Sequence, residues 1–217
     1  MHSSPISPFL ESDVSDDEQD RTRMLLNAAY ELLDEQGLEG LTIRAVLSRA
    51  GLARRAFYER FQGKDDLVLA VFDGSLRSAA RLFHDMTAQS SSPLEALRTI
   101  VTRLVIGQLG YADDGGYRRG AALSREHLRL AQSRPGELQS ALAPLLDLMG
   151  GHISEGIRQG LFREADPQTQ ARLVYNLVST TMHTMLLQEE EGGGADRAER
   201  EALADVIWEF CRRAIIA

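Results

Sequence analysis

The stretch "LTIRAVLSRAGLARRAFYERFQGKDDLV", residues 41–68, decides the fold. Its centre is the tight turn "AGLA" at residues 50–53. Before the turn, Thr42 is a good N-cap for a helix with Ile43, Val46, Leu47 and Ala50 inward, and Gly51 ends it. After the turn a second short helix is expected over 54–61, with Phe57 and Phe61 one turn apart as anchors and Gly63 as the break. Two such helices packed at a steep angle form a helix-turn-helix, whose second helix lies in the DNA major groove. That second helix carries Arg54 and Arg55 in its first turn and Tyr58 one turn later. Arginine forms bidentate pairs with guanine. The Tyr58 hydroxyl and Lys64 suit phosphate oxygens, which set register rather than sequence preference. Each arginine taken singly also reads as an ordinary solvated side chain, since Lys64 is the one lysine among 24 basic residues. The order of helix, turn, short aromatic helix, Gly-Lys and amphipathic helix is more specific than any member of it.

Outward from this stretch the sequence reads as all-α, with about nine helices. Met24, Leu25, Ala28, Ala29, Leu32 and Leu33 recur at helical spacing, and Gly37 ends that first helix. A long fourth helix is expected over 65–88, a fifth over 93–110 and a sixth over 118–132, with "DDGG" as the turn before it. Pro135 opens a seventh, Pro167 an eighth, and a ninth runs over 197–216 after the loop "EEEGGGAD". Convincing strand alternation and internal repeats are absent.

Charge is unevenly spread along the 217 residues, whose formal net charge is −8. Residues 1–20 hold six acids and no Lys or Arg, and read as a disordered acidic arm. Residues 21–70 hold eight bases and seven acids, which permits a nucleic-acid partner. No apolar run approaches the length of a membrane span, and the N-terminus is unlike a signal peptide. A single cysteine, Cys211, excludes an internal disulfide and suits a cytoplasmic protein; it reads as a buried structural thiol.

The residues Leu41, Thr42, Ile43, Ala50-Gly51, Phe57, Tyr58, Phe61, Lys64 and Leu67 resemble the N-terminal signature of the tetracycline-repressor (TetR) family of transcription regulators. The nine-helix layout extends the likeness over nearly the whole chain. The resemblance implies a helix-turn-helix DNA-binding domain at 21–66 and an effector-binding and dimerisation domain at 67–217, following the arm at 1–20. It implies double-stranded operator DNA as partner, bound through Thr42, Arg44, Arg54, Arg55, Tyr58 and Lys64. It also implies a homodimer and a small-molecule effector held among helices four to eight. Phe83, Met86, Leu104, Leu123, His127, Met149, Ile153, Tyr175 and His183 are the candidate lining residues, although Met and Phe at helical spacing also read as plain core. The chain departs from the family at Ala53, where a capping Ser or Thr is usual, at Arg55-Ala56 in place of Gly-Thr, and at Leu47 in place of a small residue.

Homodimerisation has support in the residues themselves. Residues 173–188 contain no Asp, Glu, Lys or Arg, and the ninth helix carries Ala202, Leu203, Val206, Ile207, Phe210 and Ala214 as a wide apolar stripe. Two such helices suit a four-helix interface across a two-fold axis, or burial within one subunit. Gly150, Gly151 and Gly156 within the seventh helix mark a kink, room for a ligand, or close helix approach. An enzyme is disfavoured: there is no Gly-rich phosphate loop, no metal-ligand spacing and no nucleophile with a base, so neither cofactor nor metal is expected. A ligand-independent dimeric DNA-binding or adaptor protein is the alternative reading.

Overall fold

The computed structural model describes residues 9–109, 116–192 and 197–217. They form nine helices and one isolated antiparallel bridge, Phe162 to Ile216. The chain divides into two compact units, Met1–Val71 and Phe72–Ala217.

The first unit begins with α1, Phe9–Gly40. The acidic segment expected to be disordered over 1–20 is therefore helical from Phe9, while residues 1–8 lie outside the described residues. Acids in the opening turns of a helix face its positive dipole end, which favours the extension. Glu18 also accepts a 2.6 Å hydrogen bond from Arg60 and, through its backbone carbonyl, one of 2.9 Å from Thr22. Gly37 breaks α1 at φ +65°, a left-handed conformation that side-chain-bearing residues rarely adopt. Helix α2, Ile43–Ala50, is capped by Thr42, whose Oγ1 accepts from Ala45 N at 3.1 Å. Gly51, at φ +67°, ends it and turns the chain into α3, Arg54–Tyr58. This helix is shorter than expected. Ala53 makes no side-chain cap, and the segment continues as a turn in which Phe61 N donates to Phe57 O at 2.9 Å. Leu25, Leu33, Leu41, Phe57 and Leu67 are fully buried and form the core of this unit. Arg49 fastens α2 to α1 through a two-pronged pair with Glu35 (2.9 and 2.7 Å) and a 3.1 Å bond to Glu31.

Helix α4, Lys64–Thr87, carries the chain into the second unit. There α5, Pro93–Leu109, is the central element and packs on α6 (Gly116–Ser133), α7 (Pro135–Arg158), α8 (Pro167–Gly192) and α9 (Arg197–Ile215). Its Leu97, Ile100, Val101 and Val105 are buried, as are Leu145, Met149 and Ile153 of α7 and Val178 and Met182 of α8. Cys211 is buried too, and burial pushes its thiol up to about 11. Among the described residues no helix is long and apolar enough to cross a membrane.

Gly150 and Gly156 of α7 serve close approach rather than a ligand space. A Cβ on Gly150 would lie 2.8 Å from the Gln168 amide, and one on Gly156 would enter the ring of Phe162. Gly151 faces open space. Gly156→Ala is therefore expected to lower stability by about 1–3 kcal/mol through overpacking. Gly151→Ala should gain up to about 1 kcal/mol from helix propensity. Urea unfolding of the two variants, followed by circular dichroism, gives both signs in one experiment.

Candidate nucleic-acid interface and effector region

Helix α3 is amphipathic over only five residues. Ala56 and Phe57 are buried, and the Phe57 ring meets Phe61 at 5.3 Å and Tyr58 edge-on at 5.4 Å between centroids. The opposite side presents Arg54, Arg55 and Tyr58 to solvent. Arg54 lies over the Tyr58 ring, its guanidinium carbon 5.3 Å from the centroid, and donates to the Tyr58 hydroxyl at 3.3 Å. A guanidinium braced on an aromatic ring loses less freedom on pairing with a base edge than an unbraced one. Arg55 is held differently: its Nε donates to Glu59 Oε1 at 2.7 Å. Glu59 is a residue the sequence reading passed over. Its spacing of four from Arg55 was the available signal. Thr42 and Arg44 are exposed on the preceding segment and α2, with the Thr42 hydroxyl already engaged as a cap. Lys64 is half-buried and donates to Leu38 O at 3.3 Å.

The nine effector candidates, all in the second unit, fall into different settings. Phe83, Leu104, Met149 and Ile153 are buried core. Beside Phe83, Thr87 Oγ1 donates to Phe83 O at 2.8 Å and lies 3.3 Å from His152 Nε2, tying the end of α4 to α7. Met86 stands exposed on α4, outside that core. Leu123 and His127 of α6 and Tyr175 and His183 of α8 belong to two packed helices. The His127 ring lies 5.7 Å from Tyr175 and 5.9 Å from Phe72, and Ser124 Oγ lies 3.3 Å from His183 Nδ1. Burial, then His183, holds the His127 imidazole below its ordinary range, and burial raises the Tyr175 phenol. A separate groove of about 460 Å³, absent from the sequence reading, runs between α4 and α7 and is lined by Arg77, Ala80, Arg81, His84, Asp85, Pro144 and Leu148. No group of three or more His, Cys, Asp or Glu fit to hold a metal is found among the described residues.

Two histidines give the molecule an acid-side instability. His127 and His152 both titrate below the ordinary value of 6.5, in each case chiefly because burial disfavours the charged form. The unfolded chain thus takes up these protons at higher pH than the native chain does. The stability they contribute is complete above about pH 6.5 and is lost as pH falls through their lower native values. The melting temperature should drop between pH 7 and pH 5, and the pair His127→Gln and His152→Gln should flatten that drop. An unchanged slope in the double variant would assign it to the carboxylates instead.

A capped supporting helix, a left-handed glycine turn and a recognition helix anchored by Phe57 and bearing outward arginines define a helix-turn-helix DNA-binding protein. Residues 25–71 match the family described as "Bacterial regulatory proteins, tetR family". The DNA-binding segment of the chain is thus similar to that of this family of transcriptional regulators. Among curated relatives, the fatty acid metabolism regulator protein of Bacillus subtilis (strain 168) is 19% identical over 171 residues, 77% of this chain and 84% of that protein. Of the solved structures, a TetR-family transcriptional regulator from Pectobacterium atrosepticum has a TM-score of 0.70 at 21% identity, covering 93% of this chain and 97% of that one. FadR from Bacillus subtilis, solved in complex with stearoyl-CoA, has a TM-score of 0.66 at 19% identity, covering 87% and 96%. Each of these relatives is described as a regulator.

Proposed function

We propose that the chain is a ligand-responsive repressor that binds a palindromic operator as a homodimer and is released by a mostly apolar small molecule. The observation that carries this reading is Arg54 braced on Tyr58 along the open side of a helix whose other side is locked by Phe57. Residues 21–66 form the DNA-binding part, and 67–217 the effector and dimerisation part. In the dimer, two recognition helices meet successive major grooves about 34–36 Å apart. Arg54 reads a guanine. Arg55 contributes only after leaving Glu59, so it is the weaker reader of the two. Tyr58, Thr42, Arg44 and Lys64 take phosphates and set the register. Dimerisation is supported by the large apolar side chains that α8 and α9 leave in solvent: Leu173 (64% exposed), Val206 (66%) and Phe210 (63%). An effector is supported by the aromatic and histidine cluster of α6 and α8, and by the stearoyl-CoA held by the FadR relative. It releases DNA only by preferring the DNA-free arrangement, and DNA must then weaken the effector by the same factor. Equal effector affinity with and without operator would leave the ligand-independent reading in its place.

Arginine and lysine variants test the DNA half of the reading. Arg54→Ala should cost about 1–3 kcal/mol on the operator and relax preference at one base position. Lys64→Ala should instead weaken all sequences alike and lower the salt slope by about one. Binding titrations over a set of single-base operator variants at two or more salt concentrations separate the two. Uniform loss on every sequence for Arg54→Ala would reduce it to a phosphate contact.

A further inference from the structure

We propose that the α6–α8 side of the second unit holds a subsite for an uncharged aromatic ligand, which presents one hydrogen-bonding oxygen to His127 beside the rings of Phe72 and Tyr175. This rests on the effector-binding reading above and names the class of effector. The first observation is an unsatisfied atom: His127 Nδ1 is enclosed and has no hydrogen-bond partner, although the residue as a whole keeps partial exposure. Enclosed polar atoms of native proteins are nearly always satisfied, so a partner is to be expected from outside the chain. The second is the shape of the surroundings. Phe72 and Tyr175 stand at 5.9 and 5.7 Å from the imidazole, tilted by 42° and 58°, which are the distances and angles of aromatic contacts. A further flat ring completes such a cluster better than an alkyl chain does.

The third observation is charge. The imidazole is held neutral by burial and by His183, so it offers one hydrogen bond and no ion pair. Glu126, buried one residue away on α6, is already bonded to Arg129 at 2.7 Å. Residues 173–188 of α8 bring no Asp, Glu, Lys or Arg. A ligand carboxylate is therefore disfavoured, and a phenolic hydroxyl or an aryl ketone is favoured. The hydroxyl donates to Nδ1 in one imidazole tautomer, and the ketone accepts from Nδ1–H in the other. Ser124 with His183, from the same two helices, supplies a second polar pair for a further oxygen.

The experiment uses the full chain without DNA and four probes of one shape: naphthalene, 2-naphthol, 2-acetylnaphthalene and 2-naphthoate. Isothermal titration should find 2-naphthol or 2-acetylnaphthalene at least tenfold tighter than naphthalene, with 2-naphthoate weaker than either. Which of the two wins assigns the tautomer. His127→Phe keeps a ring and removes both nitrogens, so the tenfold preference should vanish while naphthalene binding persists. Nitrogen-15 spectra of His127 in the unsubstituted chain give a second readout that does not depend on the variant's folding: the Nδ1 resonance should move on adding the preferred probe. A preference that survives His127→Phe, tightest binding by 2-naphthoate, an unmoved Nδ1 resonance or four probes that all fail to bind would each overturn the subsite. Gel shifts with operator stand apart from this. Intact probe discrimination with no effect on DNA would sink the regulatory reading and keep the subsite. A flat probe series with operator released by an aliphatic effector would do the reverse.

Discussion

Phe57→Ala should abolish operator binding by unfolding the recognition helix rather than by removing a contact. Phe57 is fully buried, and its ring joins Phe61 and Tyr58 in a small aromatic cluster. Truncating such a residue costs about 3–5 kcal/mol. A whole domain is stable by only about 5–15 kcal/mol, and α3 has five residues with no side-chain cap, so it has little stability of its own. The expected result is a loss of specific DNA affinity of about a hundredfold or more. Amide exchange over residues 52–63 should accelerate strongly, while exchange over α5 and α7 keeps its wild-type rate. Tyr58→Ala is the contrast, since Tyr58 is exposed and its loss should weaken binding without speeding that exchange. Wild-type exchange over 52–63 in Phe57→Ala would show that the helix stands without its anchor.

The second large effect is expected at α8 and α9. Leu173, Val206 and Phe210 are each more than three-fifths exposed, whereas single surface apolar residues on other helices, such as Met86 at 37%, are less so. Leu173→Asp with Phe210→Asp would place two carboxylates per subunit in the proposed interface. A two-fold axis repeats each of them. Leaving an unpaired charge buried costs about 3–5 kcal/mol, so the pair should dissociate the dimer. Sedimentation should give twice the 24.0 kDa chain mass for the wild type and the single-chain mass for the variant. Operator affinity should fall by at least about a hundredfold, since half-sites are then bound one at a time, while the helical content stays unchanged. A variant that remains dimeric would move the interface elsewhere on the molecule.

The acidic segment shows where charge alone misleads. Six acids without a Lys or Arg read residues 1–20 as unstructured, but α1 starts at Phe9, and its Glu18 reaches Arg60 beyond the recognition helix. The helix-favouring position of those acids was legible, and the ion pair was not. Arg60 is 42 residues away along the chain, and no local pattern pairs it with Glu18.

What the sequence determined by itself was local. Thr42, Gly51 and the Phe57–Phe61 spacing each act within one or two turns, through a cap, a left-handed turn and an apolar stripe, so the helix-turn-helix could be read without a structure. The helix boundaries set by Pro93, Pro135 and Pro167 were legible for the same reason. Only the tertiary structure decided which apolar residues face solvent and which polar atoms lack partners. Leu173 and Val178 look alike in sequence, yet one is 64% exposed and the other fully buried, because burial depends on which helices pack on each face. Gly156 needed Phe162 brought against it by the turn after α7, and His127 needed Phe72 and Tyr175 from helices distant in sequence. Periodicity says that a face is apolar, but the partner of that face is chosen by packing over the whole unit.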